Sequence, residues 1–329
     1  MKNKTLIKIV AAILALIVAI HYINVYKRKL FKKLDSIENK IDYLQTRIME
    51  NNFVQTGYEV NNATNIEDDL NKTIFFIGHI YPKSGYIDSE NIRFKNIEHP
   101  IKHLNRIAKK NMPFKFVFGG DNVFIPTSGA LNFLIELKSK LKNVRFIPGN
   151  HDQYWRLHDK EPRMKALYPE RYFFEDKSSV RLIYLHSVLE NGKYGLDEEQ
   201  VAFLRRSLKP SSSYNYAIIF LHHTLWAGGH SAFRLYDESA RLIEQWKNEI
   251  LPIFSEGRVK GVFSGDGGVE TSGTFSLINE IPHYSTGWSI DRSEVPPEWL
   301  RIDLGEDEIT VHWQKLSGGN LFVKLQEER

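Results

Sequence analysis

Short apolar runs rich in β-branched and aromatic residues recur after residue 72, and this pattern constrains the fold more than any other feature. The runs are TIFFI at 73–77, FKFVFGG at 114–120, VRFIPG at 144–149, YAIIFLHH at 216–223 and GVFSG at 261–265. Stretches with helical character lie between them, near 96–111, 127–142, 197–207 and 232–250. Strands that alternate with helices predict stacked α/β layers.

The apolar runs end in polar residues that can bind a metal ion. These ends are Gly120-Asp121-Asn122, Gly149-Asn150-His151-Asp152, His222-His223 and Gly265-Asp266, and His79 follows the first run. In open α/β sheets ligands bind beyond the carboxyl ends of the strands, so we expect these side chains to meet at one site. Carboxylate and carbonyl oxygens suit hard divalent cations, and imidazole adds affinity for zinc, iron or manganese. His79 alone fits a hydrogen-bonded loop histidine equally well.

Composition excludes several classes of protein. The chain is 42% hydrophobic and 26% charged, which is typical of a globular protein. Its 44 basic and 40 acidic residues leave a net charge of +4, and no ladder of aromatic and basic residues appears, so no nucleic-acid partner is predicted. The absence of cysteine excludes disulfides, thiolate metal sites and cysteine nucleophiles.

The N-terminal segment 1–29 is predicted to be a transmembrane anchor. Ile9–Tyr26 is almost wholly apolar and is long enough for a helix across a bilayer. A cleaved signal peptide is the alternative, but no small-x-small cleavage site is present, which favours an uncleaved, single-pass membrane protein. The positive-inside rule favours a cytoplasmic main domain, although three lysines before the segment oppose it.

A heptad pattern follows the apolar segment, within residues 30–50. Its apolar positions are Leu30, Leu34, Ile37, Ile41, Leu44 and Ile48. Fewer than three heptads leave two interpretations open: a helix that packs on its own domain, or a coiled-coil stalk that forms a homodimer. Residues 51–72 are predicted to be a polar linker, and residues 73–329 the main domain.

Three of the metal-binding motifs, in this order, resemble those of the calcineurin-like metallophosphoesterase superfamily. The motifs are GGDN, GNHD about thirty residues later, and a double histidine after an apolar strand, and the resemblance covers about residues 73–315. It implies a four-layer α/β/β/α sandwich with two metal ions at the strand ends. It also implies metal-dependent hydrolysis of a phosphoester, in which a metal-activated hydroxide attacks phosphorus.

The resemblance assigns roles to individual residues. Asp121 would bridge the metals, and Asn150 and His222 would be ligands of the second metal. His151 would contact the phosphoryl oxygens or protonate the leaving group, with Asp152 orienting it.

The first and last motifs depart from the family pattern. Where the family has Asp-x-His after the first strand, this chain has His79-Ile80-Tyr81, and where it has Gly-His-x-His, this chain has Asp266 and Gly268 in the histidine positions. Tyrosine is a weak ligand because its pKa is about 10, and glycine has no side chain. The first metal site is therefore depleted, and His79 is expected to coordinate at the edge of the second metal site or to donate a hydrogen bond to a phosphoryl oxygen.

The second metal site keeps a full set of competent ligands, namely Asp121, Asn150, His222 and Asp266. We therefore expect about one divalent ion per chain, with manganese, magnesium, iron or zinc as the possible metals. Four further residues could support the ligands or contact substrate: Tyr81, Asn122, His223 and His230.

Two functions from different classes remain open. The first is a membrane-anchored phosphoester hydrolase in which His151 assists the leaving group. The second is a catalytically silent relative that serves as a binding or scaffolding module at a membrane. For the hydrolase, the expected partner is a phosphorylated substrate of unknown class, because nucleotides, sugar phosphates, lipid pyrophosphates and phosphoproteins are all compatible with the sequence.

Overall fold

A computed structural model describes residues 70–78, 114–123, 125–141, 143–228, 236–266, 274–286 and 298–315. Within these residues, the first sheet has the strand order β11-β10-β1-β2-β3. Its strands are β1 (Thr73–Ile77), β2 (Lys115–Phe118), β3 (Val144–Phe146), β10 (Glu298–Leu304) and β11 (Ile309–Lys315). The first three strands are parallel, whereas β10 and β11 extend the sheet in antiparallel fashion.

The second sheet has the strand order β4-β5-β6-β7-β9-β8. Its strands are β4 (Phe173–Lys177), β5 (Val180–Tyr184), β6 (Tyr216–Leu221), β7 (Val259–Ser264), β8 (Thr274–Ile278) and β9 (Ile281–Ser285). The four central strands β5, β6, β7 and β9 run parallel, and the two edge strands are antiparallel to their neighbours. The carboxyl ends of β5, β6, β7 and β9 therefore open towards one edge of this sheet.

Helices connect the strands of the described regions. They are α1 (Ser128–Lys140), α2 (Tyr154–Leu157), α3 (Pro162–Leu167), α4 (Glu198–Ser207), α5 (Tyr236–Gln245) and α6 (Leu251–Glu256), with a π-helical segment at Trp246–Ile250 and 3₁₀ turns at Leu70–Lys72 and Leu225–Ala227. Side-chain caps start α1 and α4, because Thr127 accepts a hydrogen bond from the Ala130 N–H and Asp197 accepts one from the Gln200 N–H.

Three apolar clusters hold the layers together. A cluster of side chains from both sheets includes Phe76, Phe220 and Phe263, and the Phe220 and Phe263 rings stack with their centroids 5.5 Å apart. A second cluster joins the other side of the first sheet to α1 and α3, and a third joins the second sheet to α4, α5 and α6. Strands with alternate residues in two different clusters, such as β1, require apolar side chains on both faces, which explains the continuous apolar runs.

The two sheets touch through glycine at the carboxyl ends of β2 and β7. A Cβ atom on Gly265 would lie 2.0 Å from the carbonyl oxygen of Gly119, and a Cβ atom on Gly78 would lie 2.2 Å from the carbonyl oxygen of Thr286. Only residues without a side chain allow the backbones to approach this closely. The loops that follow β2 and β7 are therefore held next to each other.

These observations confirm the α/β class that the alternating pattern predicted. The predicted anchor (1–29), heptad helix (30–50), helix near 96–111 and nearly all of the linker (51–72) lie outside the described residues. The homodimer through the heptad helix stays a prediction.

The predicted single-pass membrane localisation requires correction. Among the residues that the structure describes, no helix has both the length and the apolar character needed to cross a membrane. Within the described ranges, the longest continuous helical stretch is residues 236–256, and it carries charged residues such as Arg241 and Lys247, which oppose burial in lipid. The apolar segment Ile9–Tyr26 lies outside the described residues, and the localisation is not supported.

Candidate metal centre

Asp121, His222 and Asp266 come together at the point where the two sheets meet. Asp121 follows β2, His222 follows β6 and Asp266 follows β7, and their exposed fractions are 2%, 0% and 3%. One carboxylate oxygen of Asp121 lies 3.3 Å from Nε2 of His222. The backbone of Asp121 has φ of 51°, in the left-handed region, which is uncommon for a non-glycine residue and is frequent at functional sites.

The His222 ring is held in one orientation by a backbone carbonyl. Its Nδ1 lies 2.8 Å from the carbonyl oxygen of Gly119, so Nδ1–H donates there and Nε2 faces Asp121. Burial lowers the pKa of His222, but the negative charges of Asp121 and Asp266 outweigh this effect and raise the pKa to about 9. Without a bound cation, the ring therefore carries a proton at neutral pH.

Asp266 is fixed to the same strand end as His222. Its backbone N–H donates to the carbonyl oxygen of His222 at 2.9 Å, and Ser264 Oγ donates to that carbonyl at 2.5 Å. Potential ligand atoms of His222, His223 and Asp266 all lie within 4.8 Å of one another. The ends of β6 and β7 thus supply two imidazoles and one carboxylate to a single small volume.

The donor set fits a divalent cation. Two buried carboxylates, Asp121 and Asp266, lie close enough to the His222 ring to raise its pKa, so negative charge is concentrated in a region removed from water. Burial of such charge is costly unless a cation compensates it. Oxygen and imidazole nitrogen donors are the ligands that manganese, iron, zinc or magnesium use in proteins.

The loop after β3 brings the GNHD motif to the same place. The backbone N–H of His151 donates to Oδ1 of Asp121 at 2.9 Å, and Oδ1 of Asn150 lies 3.0 Å from Nε2 of His223. Gly149 allows this approach, because a Cβ atom at this position would lie 2.1 Å from Oδ1 of Asp121. The structure therefore brings Asp121, Asn150, His151, His222 and Asp266 into one region.

Asp152 connects the loop after β3 to the loop after β2. Its fully buried carboxylate accepts hydrogen bonds from the N–H groups of Gly149 (2.7 Å), Asn122 (3.2 Å) and Val123 (3.1 Å), and from the Asn122 side-chain amide (3.2 Å). Burial and the nearby Asp121 raise the pKa of Asp152 to about 7, against the opposing effect of these donors. These contacts hold the backbone of the loop that carries His151. That Asp152 also orients the His151 ring stays a prediction.

Asn122 contributes to the same connection between the loops. Its side-chain amide nitrogen also donates to the carbonyl oxygen of Ile147 at 2.8 Å and contacts the Tyr168 hydroxyl at 3.1 Å. All the contacts of this amide nitrogen are therefore to the protein interior, which fits a structural role.

Sequence reasoning missed two residues that contact His223, namely Ser187 and Tyr194. The largely apolar run VRLIYL at 180–185 is followed directly by the polar residues His186 and Ser187. This ending has the same form as the other motif-bearing strand ends and could have identified Ser187. Tyr194 has no comparable signal, because it lies in a loop and reaches His223 only through the fold.

Several predicted site residues lie outside the described part of the chain. They are His79, Tyr81, His230 and Gly268. Their predicted roles, and the depletion of the first metal site that depends on three of them, stay predictions.

Comparison with known proteins gives one family match. A model of the calcineurin-like phosphoesterase family matches residues 72–266, which is more than half of the chain. The comparison with curated proteins finds no match to this sequence.

Solved structures that resemble this chain do so at low identity. An archaeal phosphodiesterase has 10% identity and a TM-score of 0.34, with 73% of this chain and 99% of that chain covered. A hypothetical protein from Thermus thermophilus has 11% identity and a TM-score of 0.41, with 74% and 99% covered. A metallophosphoesterase from Sphaerobacter thermophilus has 9% identity and a TM-score of 0.32, with 78% and 93% covered.

The family match spans every motif of the described site, from β1 to Asp266. The chain belongs to the calcineurin-like phosphoesterase family.

Proposed function

We propose that this protein is a divalent-metal-dependent hydrolase of phosphoesters. The observation that carries the proposal is the buried convergence of Asp121, His222 and Asp266, with His151 attached to Asp121 through its backbone N–H. A site that only stabilised the fold would not need two buried carboxylates around a histidine, since apolar residues would cost less.

Four residues would hold the cation: Asp121, Asn150, His222 and Asp266. We propose about one ion per chain, because these four form one complete ligand set. A bound divalent cation supplies Lewis-acid chemistry, which polarises a phosphoryl oxygen and makes water more acidic. Manganese, magnesium, iron and zinc are all compatible with a mixed set of oxygen and nitrogen donors.

The side chains of the protein then bind the substrate and protonate its leaving group. His151 is only partly buried, so its imidazole can reach a substrate while its backbone is fixed to Asp121. We assign it the transfer of a proton to the leaving-group oxygen, a role that suits imidazole near neutral pH. The covered position of Asp121 and His222 keeps bulk water from the ligand atoms and strengthens their electrostatic interactions.

A phosphate monoester or diester is the substrate class that this arrangement suits. The carboxylates alone would repel a phosphate group, so substrate binding depends on the cation and on the charge state of the histidines. His79, which follows β1 in the sequence, is a further proposed contact for a phosphoryl oxygen.

The test uses the purified full-length chain with His151→Ala, and with His312→Ala as a matched control on β11. Hydrolysis of p-nitrophenyl phosphate and bis(p-nitrophenyl) phosphate is measured with each of the four metals. We expect His151→Ala to reduce turnover by about 10² or more, the usual scale for a lost general acid, and to leave the bound metal unchanged. His312→Ala should have the rate of the wild-type protein.

Two outcomes would count against the proposal. Full-rate hydrolysis by His151→Ala would remove the role assigned to His151. A wild-type chain that binds metal and hydrolyses neither ester with any of the four metals would instead support the silent binding module.

A further inference from the structure

We infer that His223 is a positioning residue that fixes the side-chain amide of Asn150 with its oxygen available to the cation. The inference deepens the proposed function and rests on it. It starts from a line of hydrogen bonds, Ser187–His223–Asn150, that joins the ends of β5 and β6 in the second sheet to the loop after β3 in the first.

His223 is held on three sides. Its Nδ1 lies 2.8 Å from the Ser187 hydroxyl, and its backbone N–H donates to the same hydroxyl oxygen at 3.0 Å. The Tyr194 ring stacks on the imidazole with the centroids 3.9 Å apart and the planes inclined by 24°. The exposed fraction of both His223 and Ser187 is 0%, so the ring has little freedom to rotate.

The hydroxyl of Ser187 selects the tautomer of this ring. Among the described residues, the contacts of this hydroxyl are the two with His223. If Nδ1 carried the ring proton, the hydroxyl oxygen would accept twice and its own hydrogen would be buried without an acceptor. A buried donor without an acceptor is costly. Ser187 O–H therefore donates to Nδ1, and the ring proton resides on Nε2.

The Nε2–H group then selects the orientation of the Asn150 amide. It lies 3.0 Å from Oδ1 of Asn150 and donates to that oxygen. If the amide were turned over, its NH₂ group would face Nε2–H, and two donors would oppose each other. An amide oxygen has two lone pairs, so Oδ1 can accept this hydrogen bond and still bind a cation.

As a consequence, the neutral ligand of the cation site, Oδ1 of Asn150, is held in its binding orientation before the cation binds. An asparagine that could turn over would present NH₂ to the cation for part of the time and would weaken binding. Groups that orient metal ligands in this way typically change metal affinity by about 10–100-fold when they are removed.

The alternative is that His223 binds the cation directly, because its potential ligand atom lies near those of His222 and Asp266. Direct binding needs a free lone pair on Nε2 and therefore a proton on Nδ1. The two roles thus require opposite tautomers of the same ring, and this difference can be measured.

The decisive experiment is long-range ¹H–¹⁵N NMR of the histidine rings in the ¹⁵N-labelled full-length chain, with His223→Gln used to assign the signals. We expect a protonated Nε2 and an unprotonated Nδ1 for His223, both without metal and with Mg²⁺ bound. A protonated Nδ1 would overturn the inference.

Metal affinity provides the second measurement, by calorimetric titration of Mn²⁺. Ser187→Ala and His223→Leu should each weaken Mn²⁺ binding by about 10–100-fold. His223→Gln, which keeps an N–H donor, should recover part of the loss. The control is Ser213→Ala, which removes a hydroxyl that contacts Arg181 of β5. This variant should bind Mn²⁺ with the affinity of the wild-type protein.

The two proposals can fail separately. If Asn150→Ala and Ser187→Ala both leave Mn²⁺ affinity unchanged, the positioning role is wrong even if the chain hydrolyses esters. If both weaken Mn²⁺ binding and the wild-type chain hydrolyses nothing, the positioning role stands and the proposed function fails. Should a variant fail to fold, the NMR result on the wild-type chain decides the question.

Discussion

Two buried histidines of the second sheet, His222 and His283, have opposite properties. Both have an exposed fraction of 0%. His222, at the end of β6, has a pKa raised to about 9, whereas His283, in β9, has a pKa lowered to about 4. Burial lowers both values, and only the carboxylates beside His222 reverse the direction.

The surroundings of His283 satisfy a neutral ring. Its Nε2 accepts a hydrogen bond from the Trp246 indole N–H at 3.2 Å, and its Nδ1–H donates to the Ile281 carbonyl at 2.8 Å. The Trp226 ring packs edge-on against it with the centroids 4.8 Å apart. A buried histidine is therefore a core residue when its partners are neutral, and a site residue when they are charged.

Removal of the charge of Asp121 should have the largest effect. Asp121→Asn keeps the shape of the side chain but loses an anionic ligand, and we expect Mn²⁺ affinity to fall by more than about 100-fold, beyond the usual effect of removing a ligand-orienting group. His283→Asn should leave the affinity within error of the wild-type value. Calorimetric titration measures both.

A suitable control is Asp176→Asn, which removes a carboxylate paired with Arg181, away from the site. Equal losses of affinity in Asp121→Asn and His283→Asn would show that general destabilisation, and not the charge at Asp121, controls metal binding.

The pH dependence of stability should separate the same two residues in the metal-free protein. The raised pKa of His222 contributes stability that is fully present below about pH 6.5 and is lost as the pH rises towards 9, because the folded state binds more protons. The lowered pKa of His283 has the opposite sign, so stability falls as the pH decreases from about 6.5 to 4. Each effect has a slope of at most about 1.4 kcal/mol per pH unit.

Urea unfolding with EDTA between pH 4 and pH 9 measures these slopes. Relative to the wild-type protein, His222→Gln should flatten the alkaline side of the profile, and His283→Gln should flatten the acidic side. An alkaline slope that persists in His222→Gln would contradict the assigned charge state of His222.

Part of the fold and of the site could be predicted from the sequence. Runs such as 73–77 and 216–221 are buried at every position and almost wholly apolar because both faces of these strands are covered, so β1 and β6 were recognisable. Six of the described strands, β4, β5 and β8 to β11, were missed, and the alternating burial of β4 is an example of a weaker signal. Asp121, Asn150 and His222 were found because each follows an apolar run.

The partners of those residues could not be predicted. Ser187 and His223 are 36 residues apart, and Asn150 and His223 are 73 apart. Contacts at such separations depend on how the two sheets meet at Gly119 and Gly265, and no local pattern encodes that arrangement. The motif GNHD likewise contains Asp152 but does not indicate that its carboxylate binds the loop after β2.

The central claim is that the ends of β2, β6 and β7 form a divalent metal centre in which the cation replaces a proton on His222. Calorimetric titration of Mn²⁺ into the metal-free full-length chain at pH 7, in two buffers with different ionisation enthalpies, measures stoichiometry and proton release together. We predict about one ion per chain and the release of about one proton, and His222→Gln should release markedly less. Two tightly bound ions, no binding, or binding without proton release would contradict the account.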